Sequence, residues 1–132
     1  MNPNASPNAE RIAQFRKMAT DDPENELAHY RLASLLLEER QYDEAIASFR
    51  RTLELSPQFS KVYQLLGQAL LEAGRRDEAI KAWKDGFAVA DDRGDYMPRD
   101  EMSKLLVAQG EAAPASKRGA RPEAPAGDGF RC

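Results

Sequence analysis

The chain is poor in the residues that do chemistry. Among its 132 residues there is one cysteine, Cys132, one histidine, His29, and one tryptophan, Trp83. A single terminal thiol excludes an internal disulfide framework and a cysteine-rich zinc site; prenylation would need it further from the end, so it reads as a bystander. One histidine with no nucleophile spaced to meet it leaves acid–base catalysis without a partner. No catalytic residue, metal or cofactor is therefore assigned. Apolar runs approaching the roughly 20 residues of a membrane helix are lacking, and MNPNASPNAE has neither the basic start nor the apolar centre of a secretory signal. The expected location is cytoplasmic, away from membranes. Positive charge is not in surplus either: 19 Lys and Arg against 22 Asp and Glu give a formal charge of −3. Nucleic acid is excluded as a partner on that ground, because its binding draws on Lys and Arg to displace counterions.

What the chain does have is an internal period. At a shift of 34 residues Ile12, Ile46 and Ile80 align, as do Phe15, Phe49 and Trp83, and Pro23 with Pro57. The same shift pairs Leu32 with Leu66, Ala33 with Gly67, Leu36 with Leu70, and Asp43-Glu44-Ala45-Ile46 with Asp77-Glu78-Ala79-Ile80. Units of this length bury little alone and form a core only by stacking on their neighbours. With 42% hydrophobic residues the chain supports one modest core, hence one domain. We place it at residues 9–110, between a flexible lead-in of residues 1–8 and a disordered tail of residues 111–132 rich in Ala, Pro, Gly and charge.

Helical spacing organises the middle. Ile12, Phe15, Met18 and Ala19 predict a helix that matches the second helix of a unit whose first is missing. Asn25 is a candidate N-cap for a helix over 26–39 carrying Leu27, Leu32, Leu35 and Leu36, and a second helix over 42–55 ends before Pro57. The pattern restarts with Ser60 as a cap and Val62, Tyr63, Leu66, Ala69 and Leu70 inward. Gly74 supplies the left-handed turn, and a helix over 76–89 follows, with Gly94 marking the exit. Position 91 holds Asp where the earlier units hold Pro, so that helix is expected to end less sharply. A last helix, opened by Pro98 at its first position and reaching about residue 109, packs Met102, Leu105 and Leu106 onto the second unit.

Small residues at 33, 45, 67 and 79 read as places where helix backbones approach, with Phe49 and Trp83 filling the space between layers. Since Ala33 takes the place equivalent to Gly67, Gly67→Ala is expected to be mild.

These residues resemble the tetratricopeptide repeat family. Tyr63, Leu66, Gly67, Ala79, Trp83 and Gly86 follow its pattern in one unit, and Leu32, Ala33, Ala45, Phe49 and Pro57 in the other. The departures are His29, Leu36, Leu70, Thr52 and Asp91. The resemblance implies an all-α, right-handed solenoid of two full helix-turn-helix repeats, an N-terminal half-repeat helix and a C-terminal capping helix. It also implies a non-catalytic adaptor or scaffold that takes a peptide or partner protein in the groove lined by the first helices. On those helices the candidate contacts are Tyr30, Ser34, Leu37, Gln64, Gln68 and Leu71. The alternative is a self-associating module, a homo-oligomer through the terminal helices. The family's carboxylate-gripping groove is rejected, since Tyr30, Ser34, Leu65, Asp95 and Arg99 stand where it needs cations and amides, and only Arg99 suits.

The remaining polar residues are given structural roles. His29 sits in a packing slot, and the acidic pairs are solvated helix ends rather than cation loops. Asp77 with Lys81 and Asp100 with Lys104 are spaced as surface pairs. Lys117, Arg118, Arg121 and Phe130 belong to an idle tail.

Overall fold

The computed structural model describes residues 7–122. Six helices follow one another: α1 (Ala9–Asp21), α2 (Glu26–Glu38), α3 (Tyr42–Leu55), α4 (Ser60–Glu72), α5 (Arg76–Arg93) and α6 (Tyr96–Ala108). Each packs antiparallel on the next, and no strand occurs among the described residues. The architecture is an all-α right-handed solenoid.

Local chemistry explains the element ends. The Asn25 side chain accepts from the Ala28 amide at 3.1 Å, so this cap satisfies one of the amides a helix start leaves open. Gly94 closes α5 at φ 75°, a left-handed conformation that costs glycine little. The α2–α3 turn needs the same conformation at Arg40, φ 61°, where the second repeat supplies Gly74 at φ 82°. Ser60 is not a cap: it is the first residue of α4, fully packed, and its hydroxyl donates to Asp95 at 2.8 Å.

Periodicity becomes packing in the interior. Leu32, Ala33, Leu36, Ala45, Ile46 and Phe49 are buried in the first repeat, and Val62, Leu66, Leu70, Ala79 and Trp83 in the second. Leu27 and Met18, placed on apolar stripes by spacing alone, are exposed instead. His29 is half-buried, and its Nε2 donates to the Pro23 carbonyl at 2.9 Å.

One expectation about this core is overturned. A Cβ on Gly67 would lie 2.1 Å from Trp83 Nε1 and 2.5 Å from its Cδ1, so alanine does not fit without moving the indole. Trp83 is locked there, 1% exposed, with Nε1 donating to the Gln64 carbonyl at 3.1 Å. Ala33 is tolerated in the first repeat because its counterpart there is the smaller Phe49. The glycine at 67 and the tryptophan at 83 are one unit.

The second repeat ends differently from its sequence pattern. Without a proline at 91, α5 runs to Arg93, a turn beyond the expected residue 89. The following helix then begins at Tyr96, which puts Pro98 at its third position rather than its first. The expected surface pairs also change partners. Asp77 lies near Arg76, Lys81 pairs with Asp85 at 2.8 Å, and Asp100 pairs with Arg99 at 2.8 Å.

Candidate functional site

Curvature decides which surface is concave. The first helices of successive units, α2 with α4 and α4 with α6, touch one another directly. The backbones of the second helices, α1, α3 and α5, stay further apart, and these helices meet through long side chains, Arg16 with Glu44 at 2.8 Å and Arg50 with Glu78 at 2.9 Å. Helices that crowd on one side and spread on the other form an arc, so α2, α4 and α6 line its inner face.

The six residues nominated from sequence all lie on α2 and α4. Tyr30 is half-buried, with its ring 4.9 Å from that of Phe59 and tilted by 42°. The Ser34 hydroxyl donates to the Tyr30 carbonyl at 3.0 Å, so in this geometry it serves its own helix. Leu37 and Leu71, equivalent by the repeat, are both half-buried and pack on the core while keeping part of their surface open. Gln64 is half-buried, and its carbonyl receives the Trp83 indole. Gln68 is exposed and donates to Glu72 at 3.1 Å. On these two helices Leu37 and Leu71 are apolar, and Tyr30, Ser34, Gln64 and Gln68 carry hydroxyl and amide groups.

A second feature escaped the sequence reading. Beside the groove an open hollow of about 940 Å³ lies between the α3–α4 and α5–α6 connections, walled by Pro57, Phe59, Lys61, Tyr96, Met97 and Arg121. Phe59 joins it to Tyr30, so the two share a wall. Met97, 73% exposed, offers the hollow a flexible apolar rim. Phe59 sits in a turn, where apolar periodicity carries no signal; an aromatic between Pro57 and Ser60 was the only hint. The Ser60 hydroxyl and Arg93 hold the Asp95 carboxyl on this rim below its ordinary range, so it stays charged.

Arg99, the one residue that suited a carboxylate grip, is unavailable to a ligand. It is 3% exposed, and its guanidinium donates to Asp91 at 3.0 Å and to Asp100 at 2.8 Å. No group of three or more His, Cys, Asp or Glu is placed to hold a metal among the described residues. No described helix is long and apolar enough to cross a membrane. Residues 111–122, part of the tail expected to be disordered and idle, lie in part against α5 and α6. Phe130 and Cys132 lie outside the described residues.

Two family models, each described as tetratricopeptide repeat, match residues 9–60 and 36–97. No curated protein matches the chain. Among solved structures it is similar to protein BPP2914 from Bordetella parapertussis, at 28% identity and a TM-score of 0.66 over 75% of this chain and 86% of that one. It is also similar to a crystal structure of MamA protein, at 26% identity and a TM-score of 0.59 over 65% of this chain. The match spans 47% of that MamA chain, about half its length. A further MamA structure, at 21% identity and a TM-score of 0.60, bears on the fold alone.

Proposed function

Because the chain belongs to the tetratricopeptide repeat family, we propose that it is a non-catalytic interaction module that takes an extended or helical segment of a partner protein along α2, α4 and α6. The observation that carries this reading is the continuous inner face made by the touching first helices, with Leu37 and Leu71 left half open along it. Tyr30, Ser34, Gln64 and Gln68 supply hydrogen-bonding groups around that floor, and the hollow beside Phe59 gives a partner's apolar side chain a place to enter.

The test is a pull-down with the wild type and a Tyr30→Ala, Gln68→Ala double variant, with circular dichroism confirming equal helix content. The double variant is expected to lose partners that the wild type recovers. An unchanged set of partners from a folded double variant would sink the groove assignment.

A further inference from the structure

The two ends of the array are complementary. Among the described residues α1 is a second-type helix that packs on α2 and reaches α3 through the exposed Arg16–Glu44 pair, and α6 is a first-type helix with no helix after it. A following second-type helix would lie against α6 and run parallel to α5.

The chain itself takes that path, without forming a helix. Arg76 at the start of α5 donates to the Gln109 side chain at 3.2 Å and to its carbonyl. Lys84, in the middle, pairs with Glu111 at 3.0 Å. At the end of α5 the Asp91 carboxylate accepts from the Ser116 hydroxyl at 2.6 Å, the Lys117 amide at 2.7 Å and Arg99 at 3.0 Å. Arg99 also donates to the Gly119 carbonyl, and Arg118 to the Asp91 carbonyl, both at 2.6 Å. The departure from proline at 91 thus supplies the anchor of a strap.

Beneath the strap is a hollow that an aromatic would otherwise fill. Helix α4 begins at Ser60 and α6 at Tyr96, an offset of 36, and the buried Met102 and Leu106 keep that offset from Leu66 and Leu70. Ser103 therefore holds the place of Gly67, the small residue under Trp83. Pro114 of the strap lines the hollow together with Ser103, Phe87, Arg99 and Asp100.

Helix α1 carries what this place lacks. Phe15 stands in register with Phe49 and Trp83 yet is only half-buried, and Met18 stands in register with Thr52 and is 40% exposed. In the complete repeats those positions are closed, Phe49 and Thr52 at 0% and Trp83 at 1% exposure. We infer that α6 with the end of α5 is a docking face for α1 of a second copy, and that residues 111–119 of the same chain occupy it in competition. The docked α1 would complete a third repeat with α6 and continue the array without a break. The face and its ligand are different surfaces, so growth is open-ended rather than a closed dimer. A strap on the same chain acts at an effective concentration in the millimolar range, which keeps the intact protein monomeric at micromolar levels. This deepens the self-association alternative and leaves the groove aside: Tyr30 and Gln68 lie on neither end, so either reading can fail alone.

Sedimentation of the full chain tests it, with a Ser116→Ala, Arg118→Ala variant that removes strap anchors outside every helix. The wild type is expected to stay monomeric to about 200 µM. The variant, with unchanged helix content, is expected to at least about double its weight-average mass between about 5 and 200 µM, with no plateau at a dimer. Adding Met18→Glu, a change at an exposed site, should return it to monomer. A variant that stays monomeric, association indifferent to Met18→Glu, or a wild type that associates as strongly as the variant would each overturn the inference.

Discussion

Replacing Gly67 with alanine tests the packing of the second repeat directly. The added methyl would sit 2.1 Å from Trp83 Nε1 and 2.5 Å from both Cδ1 and Cε2, so the ring must move by on the order of 1 Å to restore ordinary contact. Overpacking of this kind costs about 1–3 kcal/mol. Moving the ring also draws Nε1 from the Gln64 carbonyl, and an indole N–H left unpaired in a buried site adds about 1–3 kcal/mol. Alanine returns roughly 1 kcal/mol through its better helix propensity. The net expectation is a loss of about 1–5 kcal/mol, against a total stability of about 5–15 kcal/mol for a domain. Trp83→Phe alone leaves a void and costs about 1–3 kcal/mol, part of the price of a full truncation. The double variant restores the alanine and phenylalanine pairing of the first repeat, where Ala33 and Phe49 are both fully buried. It should be no less stable than Trp83→Phe, a coupling at least as large as the Gly67→Ala loss, about 1–5 kcal/mol. Denaturant unfolding of the four proteins of this cycle reads the coupling. Gly67→Ala as stable as the wild type, or losses that simply add, would refute the pairing of glycine with tryptophan.

Two further predictions concern the turns and the strap. Arg40 holds a left-handed backbone that costs an L-residue about 1–2 kcal/mol, and Gly74 shows the relaxed solution; Arg40→Gly should therefore stabilise by about 1 kcal/mol, raising the melting temperature by about 4–8 °C. The Ser116 hydroxyl, the Lys117 amide and Arg99 hold the Asp91 carboxyl at about 2, against 3.8 for an ordinary aspartate. A group depressed in the folded state stabilises above its unfolded value and loses that contribution as pH falls through the folded one. With Arg99, Lys117 and Arg118 around it, and Asp92 and Asp100 the neighbouring carboxylates, the Lys117 amide resonance should hold steady down to about pH 4 and shift near about pH 2. A midpoint at the ordinary aspartate value would mean that the strap does not engage Asp91.

Much of the fold was legible because it is local. Spacing such as Ile46 to Phe49 or Leu66 to Leu70 places residues on one helix face whatever the rest of the chain does. Repetition then gave the same reading twice. Asn25 declared its capping role within three residues of the amide it serves. The nominated groove residues share the inner-facing helices because the same spacing that buries Leu32 and Leu66 turns their neighbours toward one side. Phe59 and the hollow were illegible, since a turn has no period to read. Ser60 looked like a cap by type, but it is the first residue of the helix itself and Asp95 claimed its hydroxyl.

The sequence by itself determined the number and order of the helices, their 34-residue register and the large and small residues at their crossings, because helix formation answers to neighbours three and four positions away. The tertiary structure alone decided that Gly67 must stay small, that Asp91 and Arg99 are buried together, and that residues 109–119 run along α5. Each depends on groups that only folding brings within a few ångströms: an indole from the next helix, a guanidinium from the one after, and a chain segment that returns past both.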